Sequence, residues 1–414
     1  MTETNWAGNH SFAADRLHRP RSVDELATIV ASAQRVGTLG SRHSFTDIAD
    51  APAGDLVALD RMPQRFEVAP DRSTVTVSAQ LTYAELAERL EPQGLAVHNL
   101  ASLPHITIAG AVATGTHGSG DRNGNLATSV VGLDIVRSDG EIVTIGPADP
   151  DFEGSVVSLG ALGTVISVTL ATVPAFRVHQ HVIEDVPWRA LDESFDAVFA
   201  SGYSVSAFCR FGRSIDQLWI KRLESEPSPH HTFGGRPATE NRHPITELPA
   251  DNCTPQLGLV GPWSERLPHF RPEFSPNVGD ELQSEYFVAR GDGPSAFSAV
   301  RGIAHRLTPV LLVSEIRTVA ADDLWLSPHQ GRDSVGLHFT WRPDPGPVGV
   351  AVQAIEAALA PFRARPHWGK VFSPDAFSMT ELYPHHDDFI GLTARLDPRG
   401  AFRNPWFDRV FTVG

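Results

Sequence analysis

Hydrophobic positions in the first part of the chain recur with the period of a helix and then with the period of a strand. In SVDELATIVASAQRV, residues 22–36, apolar side chains return every three or four positions, which predicts a helix. Ser22 and Glu25 have the spacing of a capping box, and Gly37 is expected to end the helix. A short strand is expected at residues 38–39, so the sequence GSRHS that follows begins a loop.

The same alternation continues up to about residue 175. STVTVSA, residues 73–79, has the two-residue period of a strand, and Thr82 and Glu85 have the spacing of a second capping box. Gly94 is expected to end that helix. Two further strands should form a hairpin that turns at Asp139-Gly140. This mixture predicts an α+β domain.

Two later strands carry polar pairs on one face. In Leu311–Val319, Glu315 and Arg317 share a face, and in Gly336–Trp341, His338 and Thr340 do so. Between the two halves of the chain, residues 226–278 are rich in proline and predict ordered irregular chain or a lid.

Composition limits the classes of function. A chain of 414 residues suits two domains, and its formal charge of −15 disfavours nucleic-acid and membrane partners. Cys209 and Cys253 have no metal-type spacing and are expected to be reduced thiols. No apolar run reaches the ~18 residues of a membrane span, and the N-terminal residues show no basic region followed by an apolar one, so no leader segment is expected. We expect a cytoplasmic monomer.

Several standard motifs are absent from the sequence. It contains no G-x-G-x-x-G after a strand, no P-loop, no H-E-x-x-H and no G-x-S-x-G. The paired histidines His230-His231 and His385-His386 lack a further ligand at the usual offset, so no metal site is predicted.

Two loops rich in small residues suggest a different ligand. The loop at 40–44, GSRHS, and the segment at 106–120, ITIAGAVATGTHGSG, can present successive backbone N–H groups to an anion. Either loop alone is better explained as a tight surface turn with a solvated histidine. Together they favour the pyrophosphate of a dinucleotide bound outside a Rossmann fold.

The polar strand pairs also have two interpretations. Glu315 and Arg317 could form a solvated ion pair worth roughly 0.2–1 kcal/mol. They could instead line a pocket that binds several hydroxyl groups, since a carboxylate accepts and a guanidinium donates hydrogen bonds. His338 and Lys370 could be ordinary surface residues or could handle the proton of a reacting hydroxyl.

These motifs, taken together and in order, resemble a known family. The segments that carry the resemblance are GSRHS (40–44), ASLPH (101–105) with AGAVATGTHGSG (109–120), SEIR (314–317), HFTW (338–341) and HWGK (367–370). They resemble the alditol oxidases, covalent flavoproteins of the vanillyl-alcohol-oxidase type that are related to the sugar-1,4-lactone oxidases. The match extends over nearly the whole chain.

The resemblance implies a two-domain fold and a covalent FAD. It places an FAD-binding α+β domain at 1–175, a substrate-binding cap domain built on an antiparallel sheet at 176–368, and a segment at 369–414 that returns to the FAD domain. It implies that His43 is bonded to the flavin. The other implied cofactor residues are Thr38, Leu39, Gly40, Ser41, Arg42, Ser44, Ser102, Thr107, Gly110, Thr114, Gly115, Thr116, His117, Val165 and His367.

The resemblance also implies the chemistry. A terminal primary hydroxyl of a polyol such as xylitol or sorbitol would be oxidised to the aldose, and O2 would be reduced to H2O2. The implied substrate residues are Ser102, Glu315, Arg317, Thr340 and Lys370. Lys370 and His338 are the candidate catalytic residues, and the sequence does not rank them.

Three alternatives remain at this stage. A 1,4-lactone oxidase or dehydrogenase of the same fold would take a cyclic substrate. A sugar-binding protein would use the polar strands without a flavin, and a metal-dependent hydrolase would use the histidines.

Overall fold

The computed structural model describes residues 3–228, 231–274 and 281–411. The chain first builds a unit of small sheets and short helices. Its strands are β1 (Arg16–His18), β2 (Val36–Leu39), β3 (Asp55–Ala58), β4 (Phe66–Val68), β5 (Thr74–Ser78), β6 (Leu95–Ala96), β7 (Val130–Val136), β8 (Ile142–Ile145), β9 (Thr164–Ala171) and β10 (Val173–Pro174). Its helices are α1 (Val23–Ser32), α2 (Tyr83–Leu90), α3 (Ile108–Ala113) and α4 (Phe152–Val156).

Two sheets organise this unit. Strands β1, β3 and β2 form a parallel sheet, and β4, β5, β9, β7 and β8 form an antiparallel sheet in that order. Strands β6 and β10 pair with each other. The β7–β8 hairpin turns at Gly140, whose φ of 85° is accessible to glycine, as the sequence predicts.

The first helix departs from its sequence prediction at its C-terminal end. Ser22 is the N-cap and accepts a hydrogen bond from the backbone N–H of Glu25, but α1 ends at Ser32, with Ala33 as its C-cap. Gly37 therefore does not end the helix and lies inside β2, where an added Cβ would overlap the carbonyl of Ala49. A glycine in that position permits close backbone approach, which a sequence pattern does not distinguish from a helix stop. The capping box at Thr82 is confirmed.

The second unit is one broad antiparallel sheet with helices. Its strands are β11 (Arg177–Val186), β12 (Ser204–Cys209), β13 (Ile215–Leu223), β14 (Arg236–Pro237), β15 (Gly261–Pro262), β16 (Leu282–Ala289), β17 (Leu311–Val319), β18 (Ser334–Trp341) and β19 (Arg365–Pro366). The helices of this and the final segment are α5 (Arg189–Phe199), α6 (Gly293–Gly302), α7 (Ala304–Leu307), α8 (Pro345–Leu359), α9 (Met379–Leu382), α10 (His386–Leu396) and α11 (Pro405–Phe411). The sheet order is β14-β11-β13-β12-β17-β18-β16-β19, with β15 also paired to β11.

The two faces of this sheet differ in chemistry. Leu337, Phe339 and Trp341 of β18 lie on one face and belong to the main hydrophobic core, together with residues of α6 and α8. His338 and Thr340 lie on the other face. Burial of the apolar face, at roughly 25 cal/mol per Å², fixes the register of β18 and therefore decides where its polar residues point.

The last segment packs against the first unit. The backbone N–H of Phe45 donates to the carbonyl of Gly369 at 2.7 Å, and that of Val36 donates to Ala401 at 2.8 Å. The side chain of Asn404 donates to the carbonyls of Ile48 and Asp50. These bonds place the neighbourhood of Gly369 beside the loop that holds His43.

The region rich in proline is mostly irregular chain where the structure describes it, and residues 229–230 and 275–280 lie outside that description. Cys209 and Cys253 are buried free thiols, as predicted. Across 3–228, 231–274 and 281–411, every helix is too short or too polar to cross a bilayer.

Candidate active site

The two loops predicted to hold a cofactor lie against each other. The backbone N–H of Thr107 donates to Oγ of Ser41 at 3.2 Å, and Oγ1 of Thr107 lies 3.4 Å from the backbone nitrogen of Ser41. A Cβ added at Gly40 would overlap Oγ1 of Thr107, and one at Gly110 would lie 2.9 Å from it. Glycine at both positions therefore allows the loops to approach closely.

A large cavity opens between these loops and the polar face of the sheet. Its volume of about 920 Å³ lies near the upper end of the roughly 300–1,000 Å³ common for ligand sites. The predicted residues that line it are Thr38, Leu39, Gly40, Ser41, Arg42, His43, Ser44, Ser102, Thr107, Gly110, Thr114, Thr116, His117, Glu315, Arg317, His338, Thr340, His367 and Lys370. Gly115 and Val165 are not part of the wall.

His43 has unsatisfied nitrogens in this cavity. Its ring stacks on Trp6 with 5.2 Å between centroids, and both ring nitrogens are buried without a hydrogen-bond partner among the described residues. Burial, with a contribution from His105, lowers the pKa of His43 to about 4. The imidazole is therefore neutral near pH 7 and carries a free lone pair.

Strand register places the polar residues of the sheet in adjacent rows. Glu285 of β16 pairs with His338 of β18, and His338 pairs with Glu315 of β17. In the next row Arg317 pairs with Gly336, where a Cβ would lie 3.2 Å from Oε1 of Glu285. The glycine leaves space for the carboxylate beside the guanidinium.

Glu285 joins the two cations of the site. Its Oε1 accepts from Arg317 at 2.9 Å and its Oε2 accepts from Nζ of Lys370 at 2.6 Å. Burial opposes ionisation of Glu285, but Arg317 and Lys370 outweigh it and hold the pKa of this carboxyl well below its usual range. Burial lowers the pKa of Lys370, while Glu285 acts in the opposite direction.

His338 differs from Lys370 in having a free nitrogen. The side-chain amide of Gln283 donates to Glu281 at 2.5 Å, which turns its oxygen toward Nε2 of His338 at 3.2 Å. His338 must then carry its proton on Nε2, so that Nδ1 has the lone pair. That Nδ1 is buried, makes no hydrogen bond to the described residues, and lies 3.9 Å from Oε2 of Glu315.

Ser102 and Glu315 complete the polar wall. Oγ of Ser102 lies 3.4 Å from Nη1 of Arg317, which connects the second loop to the sheet. Burial opposes ionisation of Glu315, but Arg317 and a hydrogen bond from His269 lower the pKa of this carboxyl. Glu315 is therefore a carboxylate at neutral pH.

The described paired histidines, His385 and His386, lie beside aspartates. Nδ1 of His385 and Nδ1 of His386 each lie 2.8 Å from an aspartate in the first turn of α10, and His230 lies outside the described residues. One group with metal-like spacing occurs in the described part of the chain, formed by His117, Glu285 and His367. Because Glu285 is already neutralised by Arg317 and Lys370, a divalent cation there would face two nearby positive charges.

Comparison with known proteins agrees with this geometry. Residues 14–146 match the model of an FAD binding domain, and residues 280–410 match that of D-arabinono-1,4-lactone oxidase. An alditol oxidase from a Streptomyces strain is 47% identical over 404 residues, which cover 97% of each chain. The chain belongs to the alditol oxidase family.

More distant similarities also extend over nearly the whole chain. An L-gulono-1,4-lactone dehydrogenase from Mycobacterium tuberculosis is 30% identical and covers 98% of both chains. Cholesterol oxidase from B. sterolicum superimposes with a TM-score of 0.77 at 15% identity, over 99% of this chain and 96% of that one. The predicted α+β fold of the vanillyl-alcohol-oxidase type and the predicted family are confirmed.

Sequence reasoning did not identify four polar residues of the site region: Gln283, Glu285, Lys221 and His269. In LQSEYFVA, residues 282–289, Gln283 and Glu285 lie two positions apart, so the strand period puts them on one face but does not show which strands lie beside them. Lys221 and His269 gave no comparable signal, since Lys221 adjoins Arg222 near the end of a strand, a pattern typical of exposed positions, and His269 lies in irregular chain.

Proposed function

We propose that this protein is an alditol oxidase that converts the terminal primary hydroxyl of polyols such as xylitol and sorbitol to the aldose. FAD bonded to His43 would be the cofactor, O2 the electron acceptor and H2O2 the second product. One observation carries the proposal: the cavity that contains His43 and the glycine loops is also lined by Glu315, Arg317, Thr340 and Lys370. The reaction needs a flavin and a polyol in one chamber.

The residues present suit FAD. His43 offers a neutral ring nitrogen without a protein partner, which is the state required for a bond to a flavin methyl group. The close approach of Gly40 to Thr107 brings the two glycine-containing loops together at the cavity, where a pyrophosphate would lie between them. When bound, FAD supplies a hydride acceptor and a route for two electrons to O2.

The sheet offers both kinds of partner that a chain of hydroxyl groups requires. Glu315 accepts hydrogen bonds, Arg317 and Lys370 donate them, and the hydroxyls of Thr340 and Ser102 can do either. These groups surround the cavity from the sheet and from the second loop. A substrate that lacks one hydroxyl would leave a buried polar group unpaired, so the array discriminates strongly among polyols.

The proton of the reacting hydroxyl has one favoured acceptor. As the C–H bond gives up its hydride, the O–H proton must also leave so that the carbonyl can form. Nδ1 of His338 has a free lone pair, and Glu315, 3.9 Å away, would stabilise the imidazolium. Lys370 is held by Glu285 and is suited to donating to the substrate oxygen.

The test begins with the purified full-length chain. It should be yellow, keep its colour with the polypeptide after acid precipitation, and form H2O2 with xylitol or sorbitol. His43→Ala should fold and lose the covalent colour. Colourless protein, or protein that forms no peroxide with any alditol, would refute the proposal.

A second candidate is oxidation of a 1,4-lactone, which the 280–410 match and the 30% identical dehydrogenase favour. A cyclic lactone has fewer free hydroxyls along an extended chain than an alditol of equal carbon number. Comparison of kcat/KM for xylitol with that for a gulono- or galactono-1,4-lactone separates the two. A lactone preferred by more than tenfold would reassign the substrate.

The proposed roles of three chain segments follow the domain boundaries predicted from the sequence. Residues 1–175 would bind FAD, 176–368 would form the substrate-binding cap, and 369–414 would return Lys370 and the following helices to the FAD domain. The hydrogen bonds of Phe45 and Val36 to the last segment support this division. We propose that the protein acts as a monomer.

A further inference from the structure

A buried lysine–histidine pair adjoins the substrate site, where His269 lines the cavity and Lys221 lies behind it. Lys221 of β13 is 1% exposed and His269 is 5% exposed. Nζ of Lys221 lies 3.1 Å from Nδ1 of His269, and Nε2 of His269 lies 2.9 Å from Oε1 of Glu315. Lys221, His269 and Glu315 therefore form a hydrogen-bonded chain that ends at a carboxylate of the proposed polyol site.

Hydrogen-bond accounting fixes the position of each proton in this line. The ammonium of Lys221 has three N–H donors, and it meets three acceptors: the carbonyls of Leu267 and Pro268, and Nδ1 of His269. Nδ1 must accept, so the proton of His269 is on Nε2 and is donated to Glu315. The other tautomer would set two donors against each other at Nδ1 and two acceptors against each other at Nε2.

The surroundings of His269 hold its ring in place. Trp219 and Phe208 contact the ring edge to face, with centroids 5.1 and 5.5 Å away. Burial, with the charge of Lys221, lowers the pKa of His269 to about 4, which keeps the ring neutral. Burial lowers the pKa of Lys221 to about 7 and Glu315 opposes that shift; the charged form is the one whose donors match the three acceptors.

The same segment also positions the second loop. The backbone N–H groups of His269 and Phe270 lie 3.1 and 3.3 Å from the carbonyl oxygen of Ser102 and donate to it. One stretch of irregular chain thus orients a sheet carboxylate through a side chain and a loop serine through its backbone.

We propose that Lys221 and His269 are positioning residues that determine alditol affinity by holding Oε1 of Glu315, so that Oε2 is presented to a substrate hydroxyl. The inference rests on the proposed oxidation of alditols. Neither residue touches the reacting carbon in this scheme. In a His269 variant Glu315 still lies beside Arg317 and near His338 and keeps its charge there, so the expected effect is larger on KM than on kcat.

Two substitutions of His269 distinguish orientation of Glu315 from a role in packing alone. The amide of His269→Gln can accept from Lys221 and donate to Glu315, whereas His269→Met fills similar space and can do neither. Loss of a hydrogen bond to a charged group predicts that Met raises KM for xylitol roughly 10- to 100-fold, with kcat changed less than about threefold. His269→Gln should keep KM close to the wild-type value.

A double-mutant cycle tests whether His269 acts through Glu315. In a Glu315→Ala background the histidine has no carboxylate to orient, so adding His269→Met should change KM less than about threefold. A full additional increase in KM, or an unchanged KM in the single His269→Met holoenzyme, would overturn the inference.

A spectroscopic measurement keeps the inference testable if a Met variant does not fold. In ¹⁵N-histidine NMR of the wild-type holoenzyme, the resonance absent from His269→Gln should show a neutral ring protonated at Nε2. Lys221→Met should shift that ring away from a single Nε2–H form. A proton on Nδ1 in the wild type would refute the pair's role, whereas wild-type protein inactive with alditols would instead refute the proposed function.

Discussion

The cavity has two walls that differ in how far their polar atoms are paired. The loop wall is formed by the loops at 40–44 and 106–120, and the sheet wall by the polar face of β16, β17 and β18 with Lys370. The loop wall contains buried polar atoms without partners, such as both ring nitrogens of His43, and glycines at the closest approach between loops. On the sheet wall most polar atoms are already paired, with Glu285 shared by Arg317 and Lys370, and Glu315 held by His269. The first wall requires a bound group for completion, and the second is organised before any substrate arrives.

This difference has an energetic reason. A cofactor that stays bound through many turnovers can satisfy protein groups permanently, so polar atoms of the loop wall that it contacts are no longer unpaired in the loaded enzyme. A substrate leaves after each turnover. Charges on the sheet wall must therefore neutralise one another in the free enzyme, because an unpaired buried charge costs several kcal/mol.

The largest expected effect comes from breaking the charge pairing of the sheet wall. Glu285→Gln leaves Arg317 and Lys370 as neighbouring buried cations, and we expect the free energy of unfolding to fall by roughly 3–5 kcal/mol. Urea unfolding of the wild-type and Glu285→Gln holoenzymes measures this difference in free energy of unfolding. The matched control is Glu265→Gln, which removes a largely exposed carboxylate beside Arg266 and should cost less than about 1 kcal/mol. Equal costs for the two variants would contradict a preorganised sheet wall.

The contrast between the walls also explains what the sequence could predict. The loop wall is encoded locally, in GSRHS and AGAVATGTHGSG, so its residues could be named from short motifs. On the sheet wall, strand period placed Glu315 with Arg317 and His338 with Thr340, but it could not show that β16 lies beside β18. Glu285 was missed for that reason.

Other errors came from long-range packing. Gly37 lies in β2, where Ala49 approaches it closely, and the sequence near Gly37 contains no sign of that contact. His269 reaches Glu315 from irregular chain 46 positions away, where no periodicity applies. Contacts of this kind depend on how the whole chain folds back, and a single sequence does not specify them by pattern.

A smaller effect is expected from the loop wall. Gly40→Ala forces Thr107 and the loop around Ser41 apart, and strain of this kind costs roughly 1–3 kcal/mol. We expect the fraction of protein that carries flavin, measured from the ratio of absorbance at 450 and 280 nm, to fall clearly after expression at limiting riboflavin. Gly212→Ala is the control, since no described atom lies within 4 Å of its added Cβ. Full flavin content in Gly40→Ala would show that close approach of the loops is not required.

The smallest effect is expected at Ser102, which lies where the two walls meet. Family resemblance assigns Ser102 to both cofactor and substrate, but its hydroxyl faces Arg317 at a long 3.4 Å, while its carbonyl accepts from His269 and Phe270. Ser102→Ala keeps those backbone bonds and removes one weak hydrogen bond, worth about 1 kcal/mol. KM for xylitol should therefore rise about fivefold with flavin content unchanged. A lower flavin content with an unchanged KM would instead assign Ser102 to the loop wall. Substrate binding would then begin at Arg317 and not at Ser102.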